Sequence, residues 1–176
     1  QLDAALKRIE INLKELYPLP LGGTAIGTGL NTPKKFDNLI ALDIAKKTNL
    51  PFETAKNKFA IMACHDGLVN LMSQIKLLAI TLLKIVNDIR LLSCGPRAGL
   101  SELHLPSNEP GSSIMPGKIN PTQCEAMAMV CTQIIGMDTS VSIAGSGGHL
   151  QMNVYKPLIA YNIINSINLI YNACLS

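Results

Sequence analysis

An apolar repeat between residues 68 and 92 constrains the fold of this chain most strongly. Its members alternate at spacings of three and four residues, which is the periodicity of a helix seam in a bundle or coiled coil. They are Leu68, Leu71, Ile75, Leu78, Leu82, Ile85, Ile89 and Leu92. We expect one helix from Phe59 to Ser93. Leu77, Ile80 and Leu91 lie away from the seam, which favours coverage by other subunits, although the central helix of a monomeric bundle has the same periodicity.

The rest of the chain predicts an all-α fold. Hydrophobic residues make up 48% of the sequence but aromatic residues only 4%, so the core must consist mainly of aliphatic side chains, which suit helices. Helical periodicity predicts further helices at Leu2–Leu16, Cys124–Ala144 and Val154–Leu175, and a short helix restarting at Thr32-Pro33. No stretch is a convincing strand. Since the sequence begins at Gln1 and stops behind an apolar run, we expect a single-domain fragment of a longer protein.

Composition argues against several classes of function. The net charge is only +3 and the 15 Lys and Arg residues are spread along the chain, so a nucleic-acid partner is not expected. The five cysteines form no CxxC pair, and no His, Cys or carboxylate cluster has ligand spacing, so we expect no metal site. The stretch from Pro157 to Ser176 is uncharged but contains four asparagines. These are costly in hydrocarbon and favour a helix buried among other helices over a membrane span.

The irregular segment from Ser93 to Pro121 contains the clearest candidate for a binding site. Within it, Gly111–Pro121 combines two serines, backbone N–H groups, one lysine and one asparagine just before a helix. With Pro121 at the first helical position and Asn120 as the cap, the positive end of that helix would face an anion held by Lys118. The spacing and Ile119 do not fit a P-loop. Loop serines usually only satisfy backbone groups, and no histidine lies nearby in sequence to activate one.

A second glycine-rich segment, Gly22–Gly29, has the spacing of neither a dinucleotide-binding motif nor a P-loop. We interpret it as a connector, with a ligand-contacting loop as the alternative.

The loop closely resembles the signature G-S-S-x-M-P-x-K-x-N of the fumarase and aspartase superfamily. Its flanks, Asn108-Glu109-Pro110 and Thr122–Met127, are similar to class II fumarases within that superfamily. The resemblance extends over essentially the whole chain. It includes Leu19–Ala25, Asn57-Lys58-Phe59, His65-Asp66, Asn87-Asp88-Ile89-Arg90, Gly95-Pro96-Arg97 and Asn153–Pro157.

This resemblance implies roles for individual residues. Ser112 matches the catalytic serine that takes a proton from the carbon beside a substrate carboxylate. Ser113, Lys118, Ile119 and Asn120 match substrate-binding positions.

Glu125 matches a glutamate that supports a histidine on another segment. Without the resemblance it would be an ordinary carboxylate in the first turn of a helix. His65, His104 and His149 do not lie in the T-H-x-Q context of the family histidine. The family histidine is the general acid of the reaction, and we therefore expect it to lie before Gln1.

The resemblance also implies a domain, a reaction and an assembly. Residues 1–176 would be the central helical domain, used for oligomerisation and for the active site, without the family's N-terminal and C-terminal domains. The reaction would be reversible hydration of fumarate to (S)-malate without a cofactor, in a cytoplasmic homotetramer, or a mitochondrial one in a eukaryote, whose sites combine three subunits. The alternatives are an aspartate ammonia-lyase or another fumarate-releasing enzyme and, for the isolated chain, a non-catalytic oligomerisation module.

Overall fold

A computed structural model describes residues 1–176, and it consists of six helices joined by loops. The helices are α1 (Leu2–Leu13), α2 (Phe36–Thr48), α3 (Lys58–Ala63), α4 (Asp66–Leu92), α5 (Thr122–Gly145) and α6 (Lys156–Leu175). Two strands of two residues each, β1 (Pro18–Leu19) and β2 (Glu53–Thr54), pair in parallel. The predicted all-α class is confirmed.

Helix α4 is the centre of the bundle and packs against α5, α1 and α6. The buried core is aliphatic, as the low aromatic content predicts, and includes Met72, Ile134, Val141 and Ile159. Cys131 belongs to the same core, and burial raises the pKa of its thiol. The three longest helices therefore form one continuous apolar interior.

The prediction of one helix from Phe59 to Ser93 is wrong at its N-terminal end. Helix α3 stops at Ala63, Cys64 is extended, and α4 begins at Asp66. The break places the buried ring of His65 where its Nε2 lies 3.1 Å from the carbonyl oxygen of Asn153. This contact ties the start of α4 to the segment before α6, and its partner lies 88 residues away in sequence.

The restart of a helix at Thr32-Pro33 is also displaced. The Thr32 hydroxyl donates to the Gly29 carbonyl at 2.8 Å and so closes a turn instead of capping a helix. Lys35 then has a left-handed backbone (φ 66°), and α2 begins only at Phe36. The predicted start of α1 at Leu2 and the predicted end of α6 at Leu175 are confirmed, and the other ends of α1, α5 and α6 differ from the observed ones by one to three residues.

The outward faces of the long helices are strongly apolar. Ile80 on α4, Ile143 on α5 and Ile164 on α6 are all exposed. By length and composition alone, α4, α5 and α6 would each suffice to cross a membrane. Only 22% to 28% of the residues in the apolar stretch of each helix are buried within the chain. These faces therefore need a covering that the chain itself does not provide.

Candidate active-site loop and its surroundings

The Gly111–Pro121 loop lies where α4 ends and α5 begins. Helices α4 and α5 run antiparallel, since Lys76 contacts Asp138 near their middles and Arg90 contacts Glu125 near this end. Residues 93–121 join the two helices. The candidate loop therefore stands on the end of the most extensively packed helix pair in the bundle.

The loop is closed at its base by Asn120 and Gly111. The Asn120 side-chain amide donates to the Gly111 carbonyl at 3.0 Å. A Cβ atom added to Gly111 would lie 2.2 Å from the Lys118 carbonyl oxygen, so only glycine fits at this crossing. The predicted cap is wrong, because Pro121 occupies the N-cap position of α5 and no side chain caps the helix. Asn120 uses its amide to close the loop instead.

Ser112 lies inside this closed loop and is half-buried. Its Oγ accepts hydrogen bonds from the backbone N–H groups of Ile114 at 3.2 Å and Met115 at 3.1 Å. Donors aimed at an oxygen favour its negatively charged form. The loop therefore supplies the hydroxyl with polar stabilisation from two identified backbone donors, those of Ile114 and Met115.

The remaining loop residues of the predicted site are accessible. Ser113, Lys118 and Ile119 are exposed, and Lys118 takes part in none of the chain's ion pairs. Lys118 and Ile119 line a cleft of about 640 Å³ that also includes Arg90 and His104. An unpaired ammonium group at the mouth of a loop attracts anions.

Glu125 lies apart from that cleft, in the first turn of α5. One of its carboxylate oxygens, Oε1, is 3.5 Å from Nη2 of Arg90. Glu125 and Arg90 line a neighbouring groove of about 550 Å³ together with Thr132 and Gln133. Arg90 therefore borders both depressions, and the sequence motifs alone did not single it out. The signals in the sequence were its place in Asn87-Asp88-Ile89-Arg90, a segment that resembles the family, and a cation in the last turn of a long helix, where the helix dipole favours it.

The three histidines of the chain are placed differently from one another. His65 is buried and bound to the Asn153 backbone, whereas His104 and His149 are exposed. None forms an ion pair with Glu125, whose charged partner is Arg90. No group of three or more His, Cys, Asp or Glu side chains is arranged to hold a metal ion.

The Gly22–Gly29 segment packs closely against its neighbours. A Cβ atom on Gly22 would lie 2.6 Å from Cβ of Asp37, and one on Gly27 would lie 2.9 Å from the backbone of Phe59. Lys58 Nζ lies 2.8 Å from Asp37 Oδ2 and lowers the pKa of that carboxyl group. These contacts give the glycines a packing role, which favours the connector interpretation.

Comparisons with known proteins identify a family and several similar enzymes. The family model described as "Lyase" matches residues 1–136. The chain is 71% identical over its whole length to a class II fumarate hydratase from a strain of Prochlorococcus marinus, of which it covers 38%. It is 57% identical over its whole length to a mitochondrial fumarate hydratase of Dictyostelium discoideum, of which it covers 36%.

Solved structures extend the similarity to the fold. The crystal structure of class II fumarase from Schistosoma mansoni superposes with a TM-score of 0.95 at 44% identity, over 98% of this chain and 39% of that one. A structure from Brucella melitensis described as fumarate lyase:delta crystallin gives 0.93 at 38% identity, over 98% of this chain and 37% of that one. The chain spans a little more than a third of the length of these relatives. It belongs to the lyase family and is similar along its entire length to class II fumarate hydratases.

Proposed function

We propose that the full-length protein containing this chain is a lyase that reversibly hydrates fumarate to (S)-malate. One observation carries the proposal. In a loop closed by Asn120 and Gly111, the Ser112 oxygen accepts two backbone N–H groups while Lys118 stands unpaired nearby. Such a loop suits a base that works beside a substrate carboxylate. The similarity to class II fumarate hydratases over the whole chain supports the substrate.

In the dehydration direction, Ser112 acts as the base. Its deprotonated oxygen takes a proton from the malate carbon next to a carboxylate, and the electron pair left behind adds negative charge to that carboxylate. The N–H groups of Ile114 and Met115 favour the charged serine before the transfer. In the hydration direction, the Ser112 hydroxyl returns the proton to carbon.

The charge that develops on the substrate needs its own stabilisation. Lys118 would supply a cation, Ser113 a hydroxyl and Ile119 a backbone N–H, and all three residues are exposed. Asn120 holds the loop shut and so fixes the positions of these donors. Groups arranged in advance around developing charge commonly supply the largest part of the rate enhancement.

The second half of the reaction, loss or addition of water, requires a general acid from another segment. Glu125 supports that group, the histidine expected before Gln1, by accepting an imidazole N–H. None of the histidines in residues 1–176 contacts Glu125 in this way. The isolated chain would therefore be an inactive structural module that carries the base and some of the substrate-binding groups.

The assembly we propose is a homotetramer. The exposed apolar faces of α4, α5 and α6 would pack against the same helices of other copies, and each active site would combine segments of three subunits. Exposed asparagines on α6, such as Asn168 and Asn172, favour contact with protein over contact with lipid. We place the enzyme in the cytoplasm, or in mitochondria if the source is eukaryotic, and expect neither nucleic acid nor membrane as a partner.

Replacement of Ser112 by alanine in the full-length enzyme tests the proposal. We expect kcat to fall by about a thousandfold, within the range for loss of a general base, with an unchanged oligomeric state. Ser107→Ala is the matched control, because Ser107 is an exposed serine of the same connection. Both variants are assayed by the absorbance change of fumarate. An active Ser112→Ala enzyme would refute the role given to this serine.

An aspartate ammonia-lyase is the second candidate, because the loop signature is shared across the superfamily. Purified enzyme is offered malate, aspartate and argininosuccinate in parallel. We expect turnover of malate alone. Turnover of aspartate without malate would replace the first candidate by the second.

A further inference from the structure

Arg90 is the one cation shared by the two depressions at the active-site end of the bundle. It lies in the last turn of α4 and borders the cleft that contains Lys118. It also borders the groove that contains Glu125. We propose that Arg90 is a positioning residue for the reaction, which holds the Glu125 carboxylate in the orientation that supports the general acid. The inference rests on the proposed function and assigns a role to a residue outside the serine loop.

Arg90 contacts one carboxylate oxygen of Glu125, and the other oxygen remains free to accept a hydrogen bond. Nη2 of Arg90 is 3.5 Å from Oε1, and Oε2 makes neither an ion pair nor a side-chain hydrogen bond in the chain. A carboxylate fixed through one oxygen can accept an imidazole N–H through the other without turning. In the proposed role, the Arg90 guanidinium restricts the rotation of a side chain that would otherwise have several rotamers.

The location of the pair explains why an arginine suits this position. Arg90 is the last charged residue of α4 and Glu125 lies one turn into α5, so the contact joins the two helix ends from which the loop emerges. Arginine presents several N–H donors in a rigid plane, which a lysine ammonium group does not. Both side chains are about two-fifths exposed in the single chain, so the pair adds little to its stability. Its effect should therefore appear in catalysis more than in folding.

The test compares Arg90→Gln, Arg90→Lys and Glu125→Gln, with the double variant Arg90→Gln/Glu125→Gln, all in the full-length enzyme. We expect Arg90→Gln to lower kcat about tenfold, in the range for coupled neighbouring groups, while KM for malate stays within about twofold. Arg90→Lys should recover only part of the loss, because it keeps the charge but not the planar set of donors. The double variant should be no slower than Glu125→Gln alone, since Arg90 acts through Glu125.

Lys84→Gln is the matched control, because it removes an exposed ion pair with Asp88 from the same helix. Unchanged kcat in Arg90→Gln, or a double variant slower than Glu125→Gln by the full factor of Arg90→Gln, would overturn the inference. If Arg90→Gln loses its fold or assembly, the cycle built from Arg90→Lys and Glu125→Gln decides by the same criteria. If Glu125→Gln and Ser112→Ala both retain activity, the proposed function itself fails. A slow Glu125→Gln enzyme with a normal Arg90→Gln enzyme refutes only the inference.

Discussion

Single residues determine whether the Gly111–Pro121 loop has the shape its chemistry requires. Ser112 is an ordinary alcohol, and two backbone N–H groups of its own loop distinguish it from other serines of the chain. Those donors stay in place only while the loop is closed by Asn120 and Gly111. The glycine at the crossing is thus as important to the proposed base as any side chain that contacts substrate.

Gly111→Ala should separate loop closure from folding. The new methyl group would overlap the Lys118 backbone, so the crossing must open and the hydrogen bonds to Ser112 must change. We expect kcat to fall at least about a hundredfold, comparable to the loss of oriented catalytic groups. The melting temperature of the protein should change little, because the loop lies at the surface. Gly117→Ala is the control. Gly117 has positive φ (72°) but open space around it, so alanine adds backbone strain without a collision. Equal activity of the two variants would contradict the importance of the crossing.

Helices are the scale at which the sequence was most informative. The three-and-four repeat predicted α4 through Leu92 because its cause, one face buried along a helix, is local and periodic. The helix break at His65 was not predicted, because His65 is held by a contact with Asn153, which lies far away in sequence. The same reason explains Asn120. A residue before a helix start usually caps it through a side-chain oxygen. Here the Asn120 side chain turns toward Gly111 instead and donates its amide N–H to the carbonyl of that residue. Arg90 was missed because its partner Glu125 lies on a different helix.

The ion pair of Lys76 with Asp138 should fix the register of α4 against α5. Lys76 Nζ lies 2.5 Å from Oδ2 of Asp138, whose other oxygen accepts from Ser73. Asp138 is 5% exposed, so Lys76→Met would leave a buried carboxylate without its cation. This should cost about 2 kcal/mol after allowance for the partial exposure of Lys76, seen as a melting temperature several degrees lower.

Two further variants serve as controls for this prediction. Lys76→Met/Asp138→Leu should regain the loss, and Lys47→Met, which removes an exposed pair on α2, should change nothing measurable. A double variant less stable than Lys76→Met would contradict this account.

At the scale of the whole molecule, the chain spans a little more than a third of the length of its relatives. Its helices bury one side against each other and leave the other side apolar and exposed. Its loop carries the proposed base, Ser112, and a cation, while Glu125 faces no imidazole. Residue patterns predicted the anion-binding loop on physical grounds, whereas the roles of Ser112 and Glu125 came from resemblance. Both incomplete features, the uncovered faces and the missing acid, are resolved by one hypothesis, in which neighbouring subunits supply the covering helices and the absent segment.

Mixed tetramers should reveal such a shared site. Full-length Ser112→Ala protein is combined, by refolding or co-expression in equal amounts, with a full-length variant that lacks the T-H-x-Q histidine expected before Gln1. If each site draws its serine loop and its histidine segment from different subunits, random mixing leaves about a quarter of the sites intact, one half for each segment drawn independently.

If both segments came from one subunit, every site would carry one of the two changes and no activity would return. Ser112→Ala mixed with Lys118→Met is the control. Both changes lie in the same loop, so no arrangement of subunits can assemble an unaltered one. Recovery near a quarter of wild-type activity in the first mixture, with none in the control, would establish that the loop on this chain completes a site on its neighbour. Absence of recovery in mixed tetramers, verified by two different affinity tags, would confine each site to a single subunit.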